Sequence, residues 1–176
     1  MKIDNITLIG MAGSGKSVIG KLLAKKFNFK FIDCDEYIEQ KEKMSLQQII
    51  DKKGDKEFLK IEEKRILELM PPKKHVLAPG GSVIYSREVM SALKKSSCVI
   101  FFDLPLKIIE KRLTNKKTRG IVGLKSKSVR ELYEERTPLY KKQADVAIDC
   151  FNKSNNQVVN EIIKKLTIYE DSHYFR

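Results

Sequence analysis

The sequence predicts an α/β fold in which helices cover both faces of a parallel sheet. Short apolar runs that suit buried strands alternate along the chain with longer segments of helical periodicity. Strands separated by helices are typical of a parallel sheet with right-handed crossovers. A glycine-rich segment between the first strand and the first helix supports the same class. The chain has 176 residues, and we expect one domain over residues 1–176.

Five apolar runs are predicted to be strands, and eight periodic segments are predicted to be helices. The strands are Ile6–Ile9, Phe29–Ile32, Val76–Ala78, Cys98–Phe102 and Val146–Ile148. The helices are Lys16–Phe27, Glu36–Lys41, Ser45–Lys52, Lys56–Leu69, Arg87–Lys94, Leu106–Leu113, Ser128–Tyr140 and Asn156–Leu166. Because ligands bind at the carboxyl ends of the strands in such sheets, functional residues are expected directly after the strands.

The strongest motif follows the first strand and has the form G-x-x-x-x-G-K-S, from Gly10 to Ser17. A strand before it and a helix after it are the context that a phosphate-binding loop (P-loop) requires. Its glycines allow backbone N–H groups to point at phosphate oxygens, and the helix N-terminus adds its positive dipole end. Lys16 can reach the β- and γ-phosphates, and Ser17 can ligate Mg²⁺. The predicted nucleotide-binding residues here are Gly13, Ser14, Gly15, Lys16, Ser17 and Val18.

Polar residues and glycines follow the next two predicted strands. Asp33 and Asp35 come after the second strand, where side chains one residue apart point to opposite faces and can serve a metal ion and an acceptor substrate. An N-cap role for the following helix suits Asp35 as an alternative. Gly80 and Gly81 follow the third strand and can offer backbone N–H groups to a substrate, unless they form only a tight turn.

A basic segment after the fourth strand suggests a mobile lid over about residues 116–127. Glycines flank a short apolar patch there, from Gly120 to Gly123, which is typical of a loop that closes over phosphates. Arg119 at its start can stabilise charge on a transferring phosphoryl group. The alternative is that Arg119 is an ordinary solvated arginine.

Composition narrows the class of protein. The net charge is +12, from 35 basic and 23 acidic residues, but the lysines occur as scattered pairs that indicate a diffuse solvated surface and no nucleic-acid footprint. No apolar run is long enough for a membrane span, and no signal peptide is recognised. The three cysteines are far apart and favour buried thiols in a reducing cytoplasm. A cytoplasmic monomer is expected, although the aromatic tail, 168–176, leaves docking on a second subunit open.

Taken together, these residues resemble the shikimate kinase family. The resemblance rests on the P-loop, on Asp33 and Asp35, on Gly80-Gly81, on Arg119, and on the segment Arg136-Thr137-Pro138-Leu139-Tyr140. It implies a P-loop kinase fold with strand order 2-3-1-4-5 and a lid, ATP and Mg²⁺ as cofactors, and phosphoryl transfer to the 3-hydroxyl of shikimate.

The resemblance also implies a role for each residue of the site. Asp35 would hold the acceptor hydroxyl, Arg136 would bind a substrate carboxylate, and Arg119 would bridge nucleotide and acceptor. Asp33 would hold Mg²⁺ through water. The adenine would lie against Arg112, with the loop that contains Asn152 and Lys153 on its other side. With Lys16, Asp35 and Arg119 are the expected catalytic residues.

The chain departs from the family pattern on the acceptor side. The family's Gly-Glu-x-x-Phe-Arg segment supplies a second arginine for the substrate carboxylate, but Leu59 stands at that position here, and Ser82 replaces the third consecutive glycine. A bidentate arginine–carboxylate contact is among the stronger polar contacts. The acceptor is therefore shikimate bound weakly, or another small hydroxy acid or polyol. A nucleotide-binding pseudokinase is a further alternative.

Overall fold

Helices cover both faces of a five-stranded parallel sheet in this computed structural model, which describes residues 3–70, 73–114 and 120–173. The strands are β1 (Asn5–Ile9), β2 (Lys30–Asp33), β3 (His75–Ala78), β4 (Cys98–Asp103) and β5 (Val146–Asp149). They are ordered β2-β3-β1-β4-β5, and every neighbouring pair is parallel. Both the α/β class and the strand order that the resemblance implied are confirmed.

The helices agree with the sequence pattern except at some of their ends. They are α1 (Lys16–Phe27), α2 (Cys34–Glu42), α3 (Leu46–Glu68), α4 (Arg87–Ser96), α5 (Leu106–Thr114), α6 (Val129–Gln143) and α7 (Asn155–His173), with a short 3₁₀ helix at Val83–Tyr85. The helix α7 continues through most of the predicted tail, whose last residues lie outside the described ranges. Within those ranges no helix is long and apolar enough to cross a membrane.

A single glycine separates the two helices that the sequence predicts within α3. Gly54 has φ 79° and ψ 166°, so the chain leaves helical geometry there and resumes it directly afterwards. This region of backbone space is open almost only to glycine. The kink turns the second half of α3, which carries Phe58 and Glu62, so that both of these residues line the same cleft as the P-loop.

The segment 120–127 packs against α2 and the first half of α3. Its Val122 belongs to a small hydrophobic cluster that is separate from the core around the sheet. The other buried members of this cluster are Ile38, Leu46, Ile49, Ile50 and Phe58. The backbone N–H of Gly123 donates to Asp55 Oδ2 at 3.0 Å, and Lys125 pairs with Asp51 at 2.7 Å. The described part of the predicted lid thus has specific contacts, while its mobility stays a prediction.

We expect Gly54→Ala to lower the free energy of unfolding by about 1–3 kcal/mol, because alanine must adopt a strained backbone conformation at φ 79°. A steric clash does not contribute, since a Cβ at this position would meet no atom within 4 Å. Urea denaturation measures the change, with Lys56→Ala at an exposed site of the same helix as the control. Equal stability of the two variants would contradict the strain argument.

Candidate active site

A cleft of about 470 Å³ opens at the carboxyl edge of the sheet. The loops that follow β1, β2 and β3 contribute to its walls, together with α3, α6 and the segment 120–127. Predicted site residues that line it are Gly13, Gly15, Lys16, Ser17, Val18, Asp33, Asp35, Gly80, Gly81, Arg112 and Arg136. The structure therefore brings the predicted nucleotide side and acceptor side into one cavity. Ser14 is buried, and its hydroxyl has no hydrogen-bond partner within the described part of the chain.

The P-loop has the backbone geometry that anion binding requires. Gly13 and Gly15 have φ values of 81° and 101°, in the left-handed region. Gly15 is the N-cap of α1 and has no side chain, so the first N–H groups of the helix receive no side-chain cap. Lys16 is buried, and its ammonium donates to the carbonyl oxygens of Gly10 at 2.8 Å and Met11 at 3.2 Å. The loop thus surrounds its own lysine and directs uncapped N–H groups outward.

Asp33 connects the P-loop to the start of α2. The Ser17 hydroxyl donates to Asp33 Oδ2 at 2.6 Å, and Asp33 Oδ1 accepts the backbone N–H of Asp35 at 3.1 Å. The N-cap of α2 is therefore Asp33, and the alternative prediction that Asp35 caps this helix is wrong. The reason is that α2 begins at Cys34, with Asp33 in the extended conformation typical of a cap. The Asp35 carboxyl lines the cleft instead.

The backbone at Gly80 and Gly81 passes very close to three charged side chains. A Cβ on Gly80 would lie 2.6 Å from Glu62 Oε1 and 2.9 Å from Asp35 Oδ1. A Cβ on Gly81 would lie 3.3 Å from Arg136 Nη1 and 3.4 Å from the backbone nitrogen of Ala12 in the P-loop. A side chain on Gly80 would therefore clash, and one on Gly81 would require its neighbours to shift by a few tenths of an ångström. This turn is where the acceptor-side residues meet the nucleotide side.

Arg136 is a buried cation whose hydrogen-bond partners are neutral. It lies on α6 with 1% of its surface exposed. Its Nε donates to the Tyr85 hydroxyl at 3.0 Å, and its Nη2 donates to the Val122 carbonyl at 2.7 Å. Among the described residues, no carboxylate lies within ion-pair distance of this guanidinium. A buried charge without an opposite partner is costly, so this arginine suits an anionic ligand.

Glu62 is a member of the site that the sequence analysis did not select. Its side chain is 2% exposed, and Oε1 accepts no hydrogen bond from the described residues. Burial raises the pKa of this carboxyl from 4.5 to about 7; the Ser82 hydroxyl opposes the rise and the Asp35 carboxylate adds to it. Its spacing offered a signal, because Glu62 follows Phe58 by one turn of α3 and shares its buried face.

Arg112, Asn152 and Lys153, which the resemblance places around the adenine, lie in different surroundings. Arg112 lies beside the P-loop, where its Nη1 donates to the Gly13 carbonyl at 2.9 Å. Asn152 and Lys153 do not line the cleft, and the Lys153 ammonium donates to the Asp149 carbonyl and to Glu161. Asn155, at the start of α7, lines the cleft in their place. Arg119 lies outside the residues that the structure describes.

The two positions that depart from the family pattern have different surroundings. Ser82 is buried and lines the cleft, where its hydroxyl lowers the pKa of Glu62 against the larger effect of burial. Leu59 does not line the cleft. It borders a separate cavity of about 120 Å³ that Tyr85 also borders. The leucine therefore contributes no polar group to the acceptor side.

A family model for shikimate kinase matches residues 12–167 of the chain. The chain belongs to the shikimate kinase family. It is 35% identical to the shikimate kinase of Sulfurihydrogenibium over 93% of this chain and 98% of that protein. The structure of Acinetobacter baumannii shikimate kinase in complex with shikimate is similar, with a TM-score of 0.87, 28% identity and 94% of each chain covered. That of Aquifex aeolicus shikimate kinase has a TM-score of 0.80, 32% identity, and coverage of 93% and 96%.

Membership confirms the resemblance on which the sequence analysis drew. Shikimate kinases are phosphotransferases that use ATP and a hydroxyl acceptor, so the predicted enzyme class is confirmed. The match includes nearly all of the P-loop and reaches into α7, so the family extends over the whole cleft. The individual roles of the cleft residues stay predictions.

We expect Glu62→Gln to remove a pH dependence from the stability of the protein. Folding raises the pKa of Glu62 from 4.5 to about 7, so its contribution is fully present below about pH 4.5 and is lost as the pH rises through 7. The glutamine variant should therefore gain up to about 3 kcal/mol relative to the unchanged protein between pH 4.5 and pH 8. Urea denaturation at both pH values measures this difference.

The exposed carboxyl of Glu134 provides the control, as Glu134→Gln. Parallel stability curves for the Glu62→Gln variant and the unchanged protein across this pH range would show that folding leaves the pKa of Glu62 unchanged, contrary to the prediction.

Proposed function

We propose that this member of the shikimate kinase family transfers the γ-phosphoryl group of ATP to the 3-hydroxyl of shikimate. The observation that carries the proposal is Arg136, a buried guanidinium without a carboxylate partner in the described chain, in the same cleft as Asp35 and the P-loop. Shikimate has one carboxylate for such a cation and several hydroxyls for the surrounding polar groups. The related Acinetobacter baumannii enzyme was solved in complex with shikimate.

The P-loop would bind the triphosphate through its backbone N–H groups and Lys16. Lys16 donates to two carbonyls of its own loop, and phosphate oxygens would compete for this ammonium. Ser17 and Asp33 fit a Mg²⁺ site, since the hydroxyl proton donates to Asp33 and leaves the lone pairs of the serine oxygen for a metal. The ion would neutralise charge on the β- and γ-phosphates.

The acceptor would lie between the Gly80-Gly81 turn, Asp35 and Arg136. Arg136 would bind the carboxylate, and the Gly80 and Gly81 N–H groups are donors for the ring hydroxyls. Asp35 would accept the proton of the attacking hydroxyl. The oxygen of that hydroxyl forms the new bond to the γ-phosphorus, and ADP leaves. Glu62, whose Oε1 accepts no hydrogen bond from the described residues, is available to a second hydroxyl.

The remaining site predictions concern the outer parts of the cleft. Arg112, beside Gly13, would contact the adenine side of the nucleotide. Asn152 and Lys153 precede Asn155, which lines the cleft, and they would contact the nucleotide from this end of it. Arg119 would stabilise charge on the transferring group, and lid closure would exclude water from it.

A different hydroxy acid or polyol is the main alternative acceptor, because Leu59 supplies no second cation. Family membership favours shikimate over this alternative and over a pseudokinase. Measuring ADP release with purified protein against shikimate, other cyclic and linear hydroxy acids, and uncharged polyols tests all three. Turnover with shikimate supports the proposal. Faster turnover with another acceptor, or none with any of them, would overturn it.

Lys16→Ala should abolish turnover, because no other side chain of the P-loop carries a positive charge to the β- and γ-phosphates. The assay is ADP release at saturating ATP and acceptor. Lys21→Ala removes an exposed lysine from the same helix outside the cleft and should leave turnover unchanged. Turnover that survives in the Lys16→Ala variant would contradict the assignment of the P-loop.

Asp35→Asn should lower kcat by about 10²–10⁴ while ATP binding stays near that of the unchanged protein, because the variant loses only the proton acceptor. Asp33→Asn is the matched contrast, since Asp33 bonds Ser17, and we expect it to weaken binding of ATP with Mg²⁺. Steady-state kinetics measures the effect of each variant on kcat, and calorimetric titration with nucleotide measures its effect on ATP binding. A loss of ATP affinity in Asp35→Asn, with turnover per bound ATP retained, would reverse the assignments.

A further inference from the structure

The side chain of Tyr85 lies between Arg136 and Glu135. Its hydroxyl accepts a hydrogen bond from Arg136 Nε at 3.0 Å and donates to Glu135 Oε1 at 2.8 Å. The Arg136 guanidinium carbon also lies 5.2 Å from the centre of the Tyr85 ring, which is a cation–π distance. Tyr85 thus contacts the guanidinium through both its hydroxyl and its ring.

The chain of contacts continues from Glu135 to the segment 120–127. Glu135 forms an ion pair with Lys127, and this ammonium, followed by the Tyr85 hydroxyl, lowers the pKa of the carboxyl. The same segment reaches Arg136 directly, because the Val122 carbonyl accepts from Nη2. The Nε and Nη2 atoms of Arg136 are therefore both bonded to protein oxygens, whereas Nη1 lies next to Gly81.

Tyr85 also borders the cavity of about 120 Å³ that Leu59 borders. This cavity gives the ring room to rotate away from Arg136 if its hydroxyl bonds are lost. The two hydrogen bonds of the hydroxyl, together with packing of the ring against the hydrophobic core, hold the ring beside the guanidinium, and the ring in turn limits where the guanidinium can lie.

We propose that Tyr85 is a positioning residue for the acceptor carboxylate. Its hydroxyl and ring hold the Arg136 guanidinium so that Nη1 faces the Gly80-Gly81 turn, where the carboxylate binds. The inference rests on the proposed function, since it assumes a carboxylate-bearing acceptor at Arg136. It adds that this arginine is oriented through a neutral tyrosine, while no carboxylate of the described residues lies within ion-pair distance of it.

The test compares Tyr85→Phe with the unchanged protein on two acceptors, shikimate and its methyl ester. The phenylalanine keeps the ring and removes the hydroxyl. We expect KM for shikimate to rise by about five- to thirtyfold, with kcat and the KM for ATP nearly unchanged, because binding of the carboxylate is weakened. With the uncharged ester, kcat/KM should be the same for both proteins. A general structural defect would lower kcat/KM to the same extent with both acceptors.

Two further variants complete the comparison. Tyr133→Phe is the control, because it removes a partly buried tyrosine hydroxyl that lies on α6 outside the cleft and donates to the Leu104 carbonyl at 3.0 Å. This variant should leave kcat and KM unchanged for both acceptors. Arg136→Lys keeps the charge but loses the planar fork, so it should reduce the preference for shikimate over the ester. If Arg136→Lys reduces this preference and Tyr85→Phe leaves it unchanged, the inference about Tyr85 is overturned while the proposed function stands.

A spectroscopic measurement tests the geometry without any acceptor. The Nε–H of Arg136 is buried and bonded to Tyr85, so it should give a slowly exchanging signal in a ¹⁵N-resolved NMR spectrum that Arg136→Lys removes. In Tyr85→Phe the exchange of this proton should accelerate by at least about tenfold. Unchanged exchange would overturn the inference. A protein that turns over neither acceptor would refute the proposed function, and the inference would fail with it.

Discussion

The arrangement of the cleft depends on the close approach of the Gly80-Gly81 backbone to the side chains around it. The strand order places β3 between β2 and β1, so the turn after β3 has Asp35 on one side and the P-loop on the other. The space that a side chain on either glycine would need is already taken by Glu62, Asp35 and Arg136. The residues proposed to bind the acceptor therefore lie close to the P-loop, which is the proximity that phosphoryl transfer requires.

Neutral groups contact both buried cations of this cleft. Lys16 donates to backbone carbonyls, and Arg136 donates to a tyrosine hydroxyl and a carbonyl. For Arg136 these contacts satisfy N–H groups, but no carboxylate of the described residues lies within ion-pair distance, which is unfavourable for a buried charge. Burial also disfavours the charged form of Glu62 and raises the pKa of its carboxyl to about 7. The protein thus retains a buried guanidinium where an anionic ligand would compensate its charge, at some expense in stability.

Sequence patterns predicted the features that depend on neighbouring residues in the chain. The strands, the P-loop and the two polar positions after β2 are local signals, and the structure contains all of them. Features that depend on packing were missed. In the sequence, Glu62 has the pattern of an ordinary helical glutamate, and it lies in the cleft because of the kink at Gly54. Tyr85 hydrogen-bonds to two residues of α6, which are distant in the sequence. The cap of α2 was misassigned to Asp35 because two aspartates lie one residue apart and the exact helix start decides between them.

The surroundings of Leu59 show which contact the chain lacks relative to the family pattern. A family arginine at this position would add a second charged contact to the substrate carboxylate, whereas here the leucine borders a small cavity beside Tyr85. With one cation, the orientation of the carboxylate depends on how rigidly that cation is held. Arg136 is fixed at Nε, at Nη2 and over a ring face, by groups from the 3₁₀ helix and from the segment 120–127. If Arg136 binds the acceptor carboxylate as proposed, its rigidity would offset the missing arginine, because a preorganised fork loses less entropy when it binds.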